Sequence, residues 1–311
     1  PKTPGTPVDP NNPEGPKYPA GLEEKNLNKT VTRTITYVYE DGTPVLNEDG
    51  TPKTVTQEAK FTRTAKVNLV TGEVTYGDWS EAKDLPVVKS PVVKGFVADK
   101  ASVPVVNVTG DSKDTTEVVT YKPLGSWIPN IPGQPTNPIK YPNNPDDPTK
   151  PGTDKPVLPY VPGMTPKDGN GQPLKPVDPQ DPTKGYIIPD IPNDPTQSTP
   201  INYEKDTQKA KTTFVDEKGN PIPGVDAITE QGDSDTPLTK EDQVKAKIKE
   251  LENKGYELVS NTYPEGGKFD KDKDTDQEFK VTLKAKEVTV TPDQPKTPGT
   301  PVDPNNPEGP K

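Results

Sequence analysis

The opening segment of the sequence, residues 1–17, is repeated letter for letter at residues 295–311. Identical copies of this length do not arise by chance, so the chain is expected to be one period of a tandem array. Each copy has proline at every third position, and this spacing places the rings along one edge of an extended polyproline II helix. Repetition joined by proline-rich sequence favours a surface or extracellular binding protein over a catalyst with a single active site.

The composition limits how much of the chain can form packed domains. The sequence holds 44 prolines in 311 residues, and only 26% of its residues are hydrophobic. Since average sequences contain about 5% proline, much of this chain is expected to lie outside any packed core. We therefore expect folded islands joined by extended chain, which would make the unit an elongated monomer.

Charge and missing residue types exclude several classes of function. There are 48 acidic and 38 basic residues, with no Cys and no His. An acidic chain without a basic stripe is a poor partner for nucleic acid or an anionic membrane surface. The absence of Cys and His excludes disulfides, Cys/His zinc sites and catalysis by imidazole. No enzyme motif is present, so the chain is expected not to be an enzyme.

No apolar run is long enough to cross a bilayer, so membrane insertion is not expected. The sequence opens with neither Met nor a signal peptide, and we expect an internal fragment whose signal peptide and anchor lie outside it.

After a proline-rich linker at residues 1–20, a pattern of period two predicts a mostly-β domain at residues 21–124. Val31, Ile35 and Tyr37 share one face of a predicted strand, with Thr at the alternate positions. A second strand is predicted at 54–64, and a hairpin turning at Thr71-Gly72 follows it.

Residues 125–200 are again rich in proline at intervals of three and are predicted to be a second linker. Two segments within it, 127–132 and 186–192, share an aromatic residue followed by aliphatic residues and prolines. These two segments are expected to dock on the adjoining domains and so to shorten the span of the linker.

A second domain is predicted at residues 201–288, followed by a linker at 289–311 that contains the repeated segment. Thr239 to Asp242 has the pattern of a helix capping box, and apolar residues at helical spacing follow it. This predicts a helix over 240–254. Strands are predicted at 211–215, 256–260 and 279–284, which makes the domain α+β.

Two sets of residue strings resemble a known family, the mucin-binding repeat (MucBP or Mub) of lactic-acid-bacterial mucus adhesins. In the second domain the strings are Tyr256-Glu257-Leu258-Val259-Ser260, Phe269-Asp270-Lys271-Asp272 and Phe279-x-Val281-x-Leu283-Lys284. In the first domain they are Thr32-Arg33-Thr34-Ile35, Gly72-x-Val74-Thr75-Tyr76-Gly77-Asp78-Trp79 and Ser90-Pro91-Val92, which resemble the companion module of such repeats.

The resemblance implies a β-grasp-like (ubiquitin-like) second domain beside a mostly-β first domain. It implies an extracellular, cell-wall-anchored adhesin whose partners are host mucins and their glycans and, for some members, immunoglobulins. Each repeat would bind weakly, and many copies would raise the effective concentration of the rest. The alternative is a purely structural stalk that presents a distal adhesive domain.

Three aromatic residues, Tyr76, Trp79 and Tyr263, are candidates for stacking on sugars, and the alternative is that they are buried core residues. Asp270, Asp272 and Asp274 alternate in the way that carboxylates around Ca²⁺ can, and the alternative is a solvated turn. The EF-hand template fails there, because Thr275 stands where that loop needs Gly. No other cofactor is expected. Lysines on the predicted helix form either a solvated face or a surface for acidic glycans.

Overall fold

The computed structural model describes all 311 residues of the chain. Strands dominate it, with one long α-helix, a four-residue helix and a short 3₁₀ turn at Pro182–Lys184. The chain divides into two compact units. The first unit contains Pro1–Ile128, Pro138–Lys155 and Asp190–Thr199, and the second contains Pro129–Asn137, Pro156–Pro189 and Pro200–Lys311.

The elements up to β12 begin in the first unit. They are α1 (Glu24–Leu27), β1 (Asn28–Tyr39), β2 (Thr54–Thr62), β3 (Ala65–Val67), β4 (Val74–Tyr76), β5 (Lys83–Leu85), β6 (Val88–Lys89), β7 (Phe96–Ala98), β8 (Ser102–Val103), β9 (Val106–Val108), β10 (Thr115–Pro123), β11 (Ser126–Asn130) and β12 (Ile139–Lys140). The remaining elements are β13 (Val157–Leu158), β14 (Met164–Lys167), β15 (Tyr186–Ile187), β16 (Thr199–Lys205), β17 (Thr207–Val215), β18 (Ile228–Asp233), α2 (Glu241–Asn253), β19 (Tyr256–Asn261) and β20 (Gln277–Ala285).

The main sheet of the first unit has the strand order β2-β1-β10-β7. Strands β1 and β10 are parallel neighbours at its centre, and β2 pairs with β1 in the antiparallel direction. The alternation in β1 buries Val31, Ile35 and Tyr37 on one face, as its period of two predicts. Tyr121 from β10 and Val103 from β8 pack with Ile35 and Tyr37 in one core cluster, whereas Val31 packs with Phe61 of β2 in a second cluster.

The main sheet of the second unit has the order β18-β17-β20-β19, again with a parallel pair, β17 and β20, at its centre. Helix α2 follows β18 and buries Val244, Ile248 and Leu251 at helical spacing. These side chains pack with Phe214 of β17 and Val281 of β20. The helix predicted over 240–254 is present and is one residue shorter at each end.

The structure differs from a plain spacer over residues 125–200, because strands β11 to β15 and several buried aromatic residues lie there. In the first unit, Trp127 meets Tyr141 edge to face with ring centroids 4.8 Å apart, and neither ring is exposed. In the second unit, Tyr186 and Leu158 are buried where β15 pairs with β13. A polyproline II chain has no internal hydrogen bonds, so its N–H groups and aromatic side chains are free to make these contacts.

The two copies of the repeated segment also depart from the expected straight rod. In each copy, turns form around its Asp, Asn and Gly residues, and a backbone hydrogen bond joins its eighth and sixteenth residues. Asx and glycine turn chemistry explains this, because proline at every third position fixes φ there but leaves the intervening residues free to turn.

Neither helix of the structure combines the length and the apolar character that crossing a membrane requires.

Candidate functional site

Tyr76 and Trp79, two of the predicted aromatic residues, lie on either side of one arginine at the surface of the first unit. The guanidinium carbon of Arg63 is 3.7 Å from the ring centroid of Tyr76 and 4.4 Å from that of Trp79. Both distances are well within the range of cation–π contact. We call this group of Arg63, Tyr76 and Trp79 the arginine–aromatic cluster.

The local strands position this cluster. Arg63 directly follows β2, and Tyr76 is the last residue of β4, whose pairing with β3 brings it back beside Arg63. Arg63 Nε donates to the carbonyl of Asn26 at 2.8 Å, and Tyr76 Oη donates to the carbonyl of Gly21 at 2.9 Å. These two hydrogen bonds fix the planes of the guanidinium and the phenol ring.

The three side chains of the cluster differ in what they offer to a ligand. Tyr76 is 38% exposed, whereas Trp79 is half-buried and packs on the core cluster that contains Phe61. The backbone of Gly110 also lies against the indole, since a Cβ there would come within 2.1 Å of its Cγ atom. Trp79 is therefore mainly a support, the Tyr76 ring is the most exposed part of the cluster, and Arg63 is half-buried between the two rings.

The charge of Arg63 is available to a ligand, because no acidic side chain lies within ion-pair distance of it. A planar guanidinium held between rings can donate paired hydrogen bonds to the acidic group of a sugar. The face of an aromatic ring can stack on the C–H groups of a pyranose.

Tyr263, the third predicted aromatic residue, lies in the second unit and is buried at 6% exposure. Its hydroxyl donates to Glu230 Oε2 at 2.9 Å and accepts from the backbone N–H of Lys240 at 3.2 Å. Burial, followed by the hydrogen bond to Glu230, raises the pKa of Tyr263 to about 12. The geometry is that of a core residue, which was the alternative to sugar stacking.

The acidic residues Asp270, Asp272 and Asp274 lie in an exposed turn. Asp270 and Asp272 each accept a hydrogen bond from the backbone N–H two residues later, in the manner of Asx turns. No three acidic side chains of the structure converge in a group that could hold a metal ion. The geometry gives the predicted calcium site no support and has the form of the solvated turn.

The lysines of α2 are largely paired with acids of the same surface. Lys245 lies 3.4 Å from Glu241, and Lys247 and Lys254 lie 2.9 and 3.1 Å from opposite oxygens of Glu250. The hydrogen bonds from Lys247 and Lys254 lower the pKa of Glu250. Because the pairs offset the positive charge, this face is a solvated surface rather than a basic patch.

Sequence reasoning missed two arginines that fall in phase with an apolar face. Arg63 follows the buried Phe61 at an interval of two, and Arg33 stands between Val31 and Ile35 on the inward face of β1. Arg33 is only 3% exposed and donates to Gln57 and to the carbonyls of Pro86 and Pro104, at 2.7 to 3.0 Å. A charged residue in register with apolar neighbours was the signal for both.

Comparisons with known families cover both domains. Residues 22–125 match the family described as the Muc B2-like domain. Residues 208–285 match the family described as the mucin binding domain. No curated protein matches the chain.

Several solved structures are similar to part of the chain. The mucin-binding domain of a Streptococcus pneumoniae protein is 32% identical over 31% of this chain and 92% of its own, with a TM-score of 0.26. The MucBP domain of an adhesion protein from Pediococcus pentosaceus is 30% identical over 30% of this chain and 98% of its own, with a TM-score of 0.24. A type 2 repeat of the mucus binding protein MUB from Lactobacillus reuteri is 28% identical over 31% of this chain, with a TM-score of 0.25, and the match spans 50% of that repeat.

Proposed function

We propose, on the premise that this chain belongs to the family of mucin-binding repeats, that it is a repeat unit of a cell-surface adhesin that binds host mucus glycoproteins. The observation that carries the proposal is that both domains match mucin-related families, one after the other along a single chain. Mucin-binding domains are typical of surface adhesins, and their families are not enzymatic. Attachment to the cell wall, outside the cell, is part of the proposal.

The arginine–aromatic cluster supplies the proposed contact with glycan. The Tyr76 ring would stack on a pyranose face, and the Arg63 guanidinium would pair with a sialic acid carboxylate or a sulfate ester. Such a contact is small and partly hydrated, so one repeat binds weakly. Many repeats on one chain then give lasting attachment, because each bound copy raises the effective concentration of its neighbours.

The fold of the second domain is proposed to be β-grasp-like. The observation in favour is a four-stranded sheet ordered β18-β17-β20-β19, with a parallel central pair and α2 between its two hairpin arms. The first domain repeats the same arrangement of one parallel pair flanked by antiparallel strands, with short strands in place of the helix.

The test of the glycan contact is retention of the 311-residue chain on immobilised mucin, comparing Arg63→Met with Lys66→Met. Lys66 is exposed and lies on β3, which pairs with the strand that carries Tyr76. Its substitution therefore also removes one positive charge but leaves the contacts of Arg63 with the two rings in place. Loss of a charge-assisted contact between Arg63 and the glycan worth about 1–2 kcal/mol predicts roughly tenfold weaker binding for Arg63→Met. Lys66→Met should bind like the unchanged chain.

Three further arms sharpen this test. Mucin treated with sialidase or desulfated should bind the unchanged chain less well and should abolish the difference between the two variants. Arg63→Lys keeps the charge but loses the planar stack, and is expected to bind at an intermediate level. If Trp emission shows that both proteins are folded and Arg63→Met binds mucin as well as the unchanged chain does, the arginine–aromatic cluster is not the glycan contact. Immobilised immunoglobulin serves as the second ligand.

A second candidate function is the structural stalk. The observation that favours it is that the proline-rich segments form hydrogen-bonded turns and strands rather than loose chain, which would suit a stiff spacer. The two functions are distinguished by whether the 311-residue chain is retained on mucin at all.

A further inference from the structure

The two copies of the repeated seventeen-residue segment adopt the same conformation in two different surroundings. Val8 N donates to Pro16 O at 2.9 Å, and Val302 N donates to Pro310 O at 2.8 Å. The remaining turns of the segment are also the same in both copies. The matched pairs join the sixth residue to the third, the twelfth to the ninth and the fifteenth to the twelfth, by backbone hydrogen bonds of 3.0 to 3.3 Å in both copies. The fold of the segment is therefore set by its own sequence.

The first copy contacts the chain that follows it. Lys2 N donates to the carbonyl of the buried Leu22 at 2.8 Å, and Gly5 N donates to the carbonyl of Tyr18 at 2.9 Å. Tyr18 N donates in return to Thr6 O at 2.9 Å, and the Lys2 ammonium lies 5.3 Å from the Tyr18 ring centroid. We call positions 2, 5 and 6 of the segment its forward face.

The second copy contacts the domain that precedes it. Asn306 Nδ2 donates to Asn253 Oδ1 at 2.9 Å, at the last residue of α2. Gly309 is buried and Pro310 is half-buried. The segment and the end of α2 together line a cleft of about 280 Å³, which also includes Tyr256 at the start of β19. We call positions 12, 15 and 16 of the segment its rear face.

Each face is occupied in one copy and open in the other. In the first copy, the rear-face residues Asn12 and Pro16 are exposed. The forward-face residues are exposed in both copies, and the difference lies in their hydrogen bonds: the amides of Lys296 and Gly299 make no backbone hydrogen bond, unlike those of Lys2 and Gly5. The two faces share no residue, and the internal hydrogen bonds are the same whichever face is occupied. One segment can therefore use both faces at once without changing its conformation.

We propose that the segment is a two-faced joint whose partner is a second copy of this chain, following the first in an array. Its rear face would contact the second domain of one repeat, at the end of α2. Its forward face would contact the first domain of the next repeat, in the segment before β1. Consecutive repeats would then be docked in a defined relation instead of swinging on a flexible linker. Such docking goes beyond mucus binding, since it concerns how one repeat is fixed to another.

The test is a two-period chain, in which residues 1–294 are followed by residues 1–311, carrying one nitroxide label on each side of the joint. The natural sequence has no Cys, so Lys284→Cys in the first period and Glu24→Cys in the second give unique labels at exposed positions. Pulsed electron paramagnetic resonance should give a single narrow distance distribution for the unsubstituted joint. A docked joint allows few relative positions, whereas a flexible linker samples many.

Two variants at the joint have matched controls. Asn306→Ala removes the rear-face hydrogen bond and should broaden the distribution toward that of a flexible linker. Asn12→Ala, in the copy that opens the two-period chain, makes the same substitution at the same position of the segment. It should leave the distance distribution across the joint narrow. Lys296→Pro removes a forward-face donor and should also broaden it, whereas Lys296→Ala keeps the amide and should not. A broad distribution for the unsubstituted joint, or a narrow one for Asn306→Ala or Lys296→Pro in a folded protein, would overturn the proposal.

Discussion

The hydroxyl of Tyr263 links two elements of the second domain, and its removal by Tyr263→Phe should weaken that domain without affecting mucin binding. The hydroxyl joins Glu230 of β18 to the backbone of Lys240 at the start of α2, while the ring packs 5.2 Å from that of Phe279. Phenylalanine retains the ring and its packing. The substitution therefore isolates the two hydrogen bonds from the buried surface.

The size of the effect follows from these two bonds. A buried hydrogen bond to a carboxylate contributes about 1.5–3 kcal/mol, and the longer bond from the Lys240 amide about 0.5–1.5 kcal/mol. Tyr263→Phe should lower the free energy of unfolding by about 2–4 kcal/mol in total. Tyr263→Ala would also leave a cavity, at a further cost of about 3–5 kcal/mol, which is enough to unfold most small domains.

Urea unfolding followed at two wavelengths measures this effect. Helix α2 is the one long helix, so circular dichroism at 222 nm reports mainly the second unit. Trp79 and Trp127 both lie in the first unit, and their emission reports that unit. A double-mutant cycle with Glu230→Gln should give a coupling energy of about 1 kcal/mol or more. A loss below about 0.5 kcal/mol, or weaker mucin binding with an unchanged unfolding curve, would refute the assignment of Tyr263 to the core.

Three more predictions follow from other contacts. Arg33→Leu removes three hydrogen bonds of a buried guanidinium and leaves the Pro104 carbonyl without this donor, whereas Gln57 still donates to the Pro86 carbonyl. The substitution should lower the stability of the first unit by about 1–3 kcal/mol, measured by urea unfolding with Trp emission. Gly110→Ala would place a Cβ 2.1 Å from the Trp79 indole and should cost about 1–3 kcal/mol in the same assay, with a blue or red shift of the emission maximum. Burial raises the pKa values of Tyr203 and Tyr263 to about 12 from the ordinary 10.0, so the folded state favours their neutral form. The unfolded chain loses these protons first, so the contribution of these two tyrosines to stability is expected to be constant up to about pH 10 and to fall between about pH 10 and 12 in an alkaline unfolding titration.

Regular elements with a clear period could be predicted from the sequence. The capping pattern and the spacing of Val244, Ile248 and Leu251 located α2 to within one residue at each end. The hairpin of β3 and β4 was likewise predicted from its alternation and its Thr-Gly turn. Both elements depend on neighbours that are close in sequence, which is why local patterns were sufficient.

The proline-rich regions could not be predicted in the same way. Proline spacing indicated polyproline II, but the buried pair Trp127 and Tyr141 depends on residues far apart in sequence, as does the bond from Tyr141 to Gln197. Strand β18 was also missed, because it carries Glu230 and Gln231 where an apolar alternation would be expected. Glu230 is nevertheless buried, because it accepts hydrogen bonds from Thr239 and Tyr263. Strand propensities take no account of partners that are distant in sequence.

The candidate site was predicted only in part. Composition and the Tyr76-to-Trp79 string identified the aromatic side chains, but not the arginine that joins them. Arg63 comes from the end of another strand, and no sequence interval relates it to Tyr76. Tyr263 was grouped with them by residue type alone, although its surroundings are a core.

The parallel pair at the centre of each sheet has a mechanical consequence. In the second domain the backbone enters the sheet at the start of β17 and leaves it at the end of β20, which are neighbouring strands running in the same direction. Tension between these two points acts along the strands and loads their whole ladder in shear, from Ala210↔Gln277 to Val215↔Thr282, so no bond can unzip before the rest. The pair of β1 and β10 is arranged alike in the first domain. A surface fibre of such domains, pulled by flowing liquid, would lengthen only after rupture of an entire ladder.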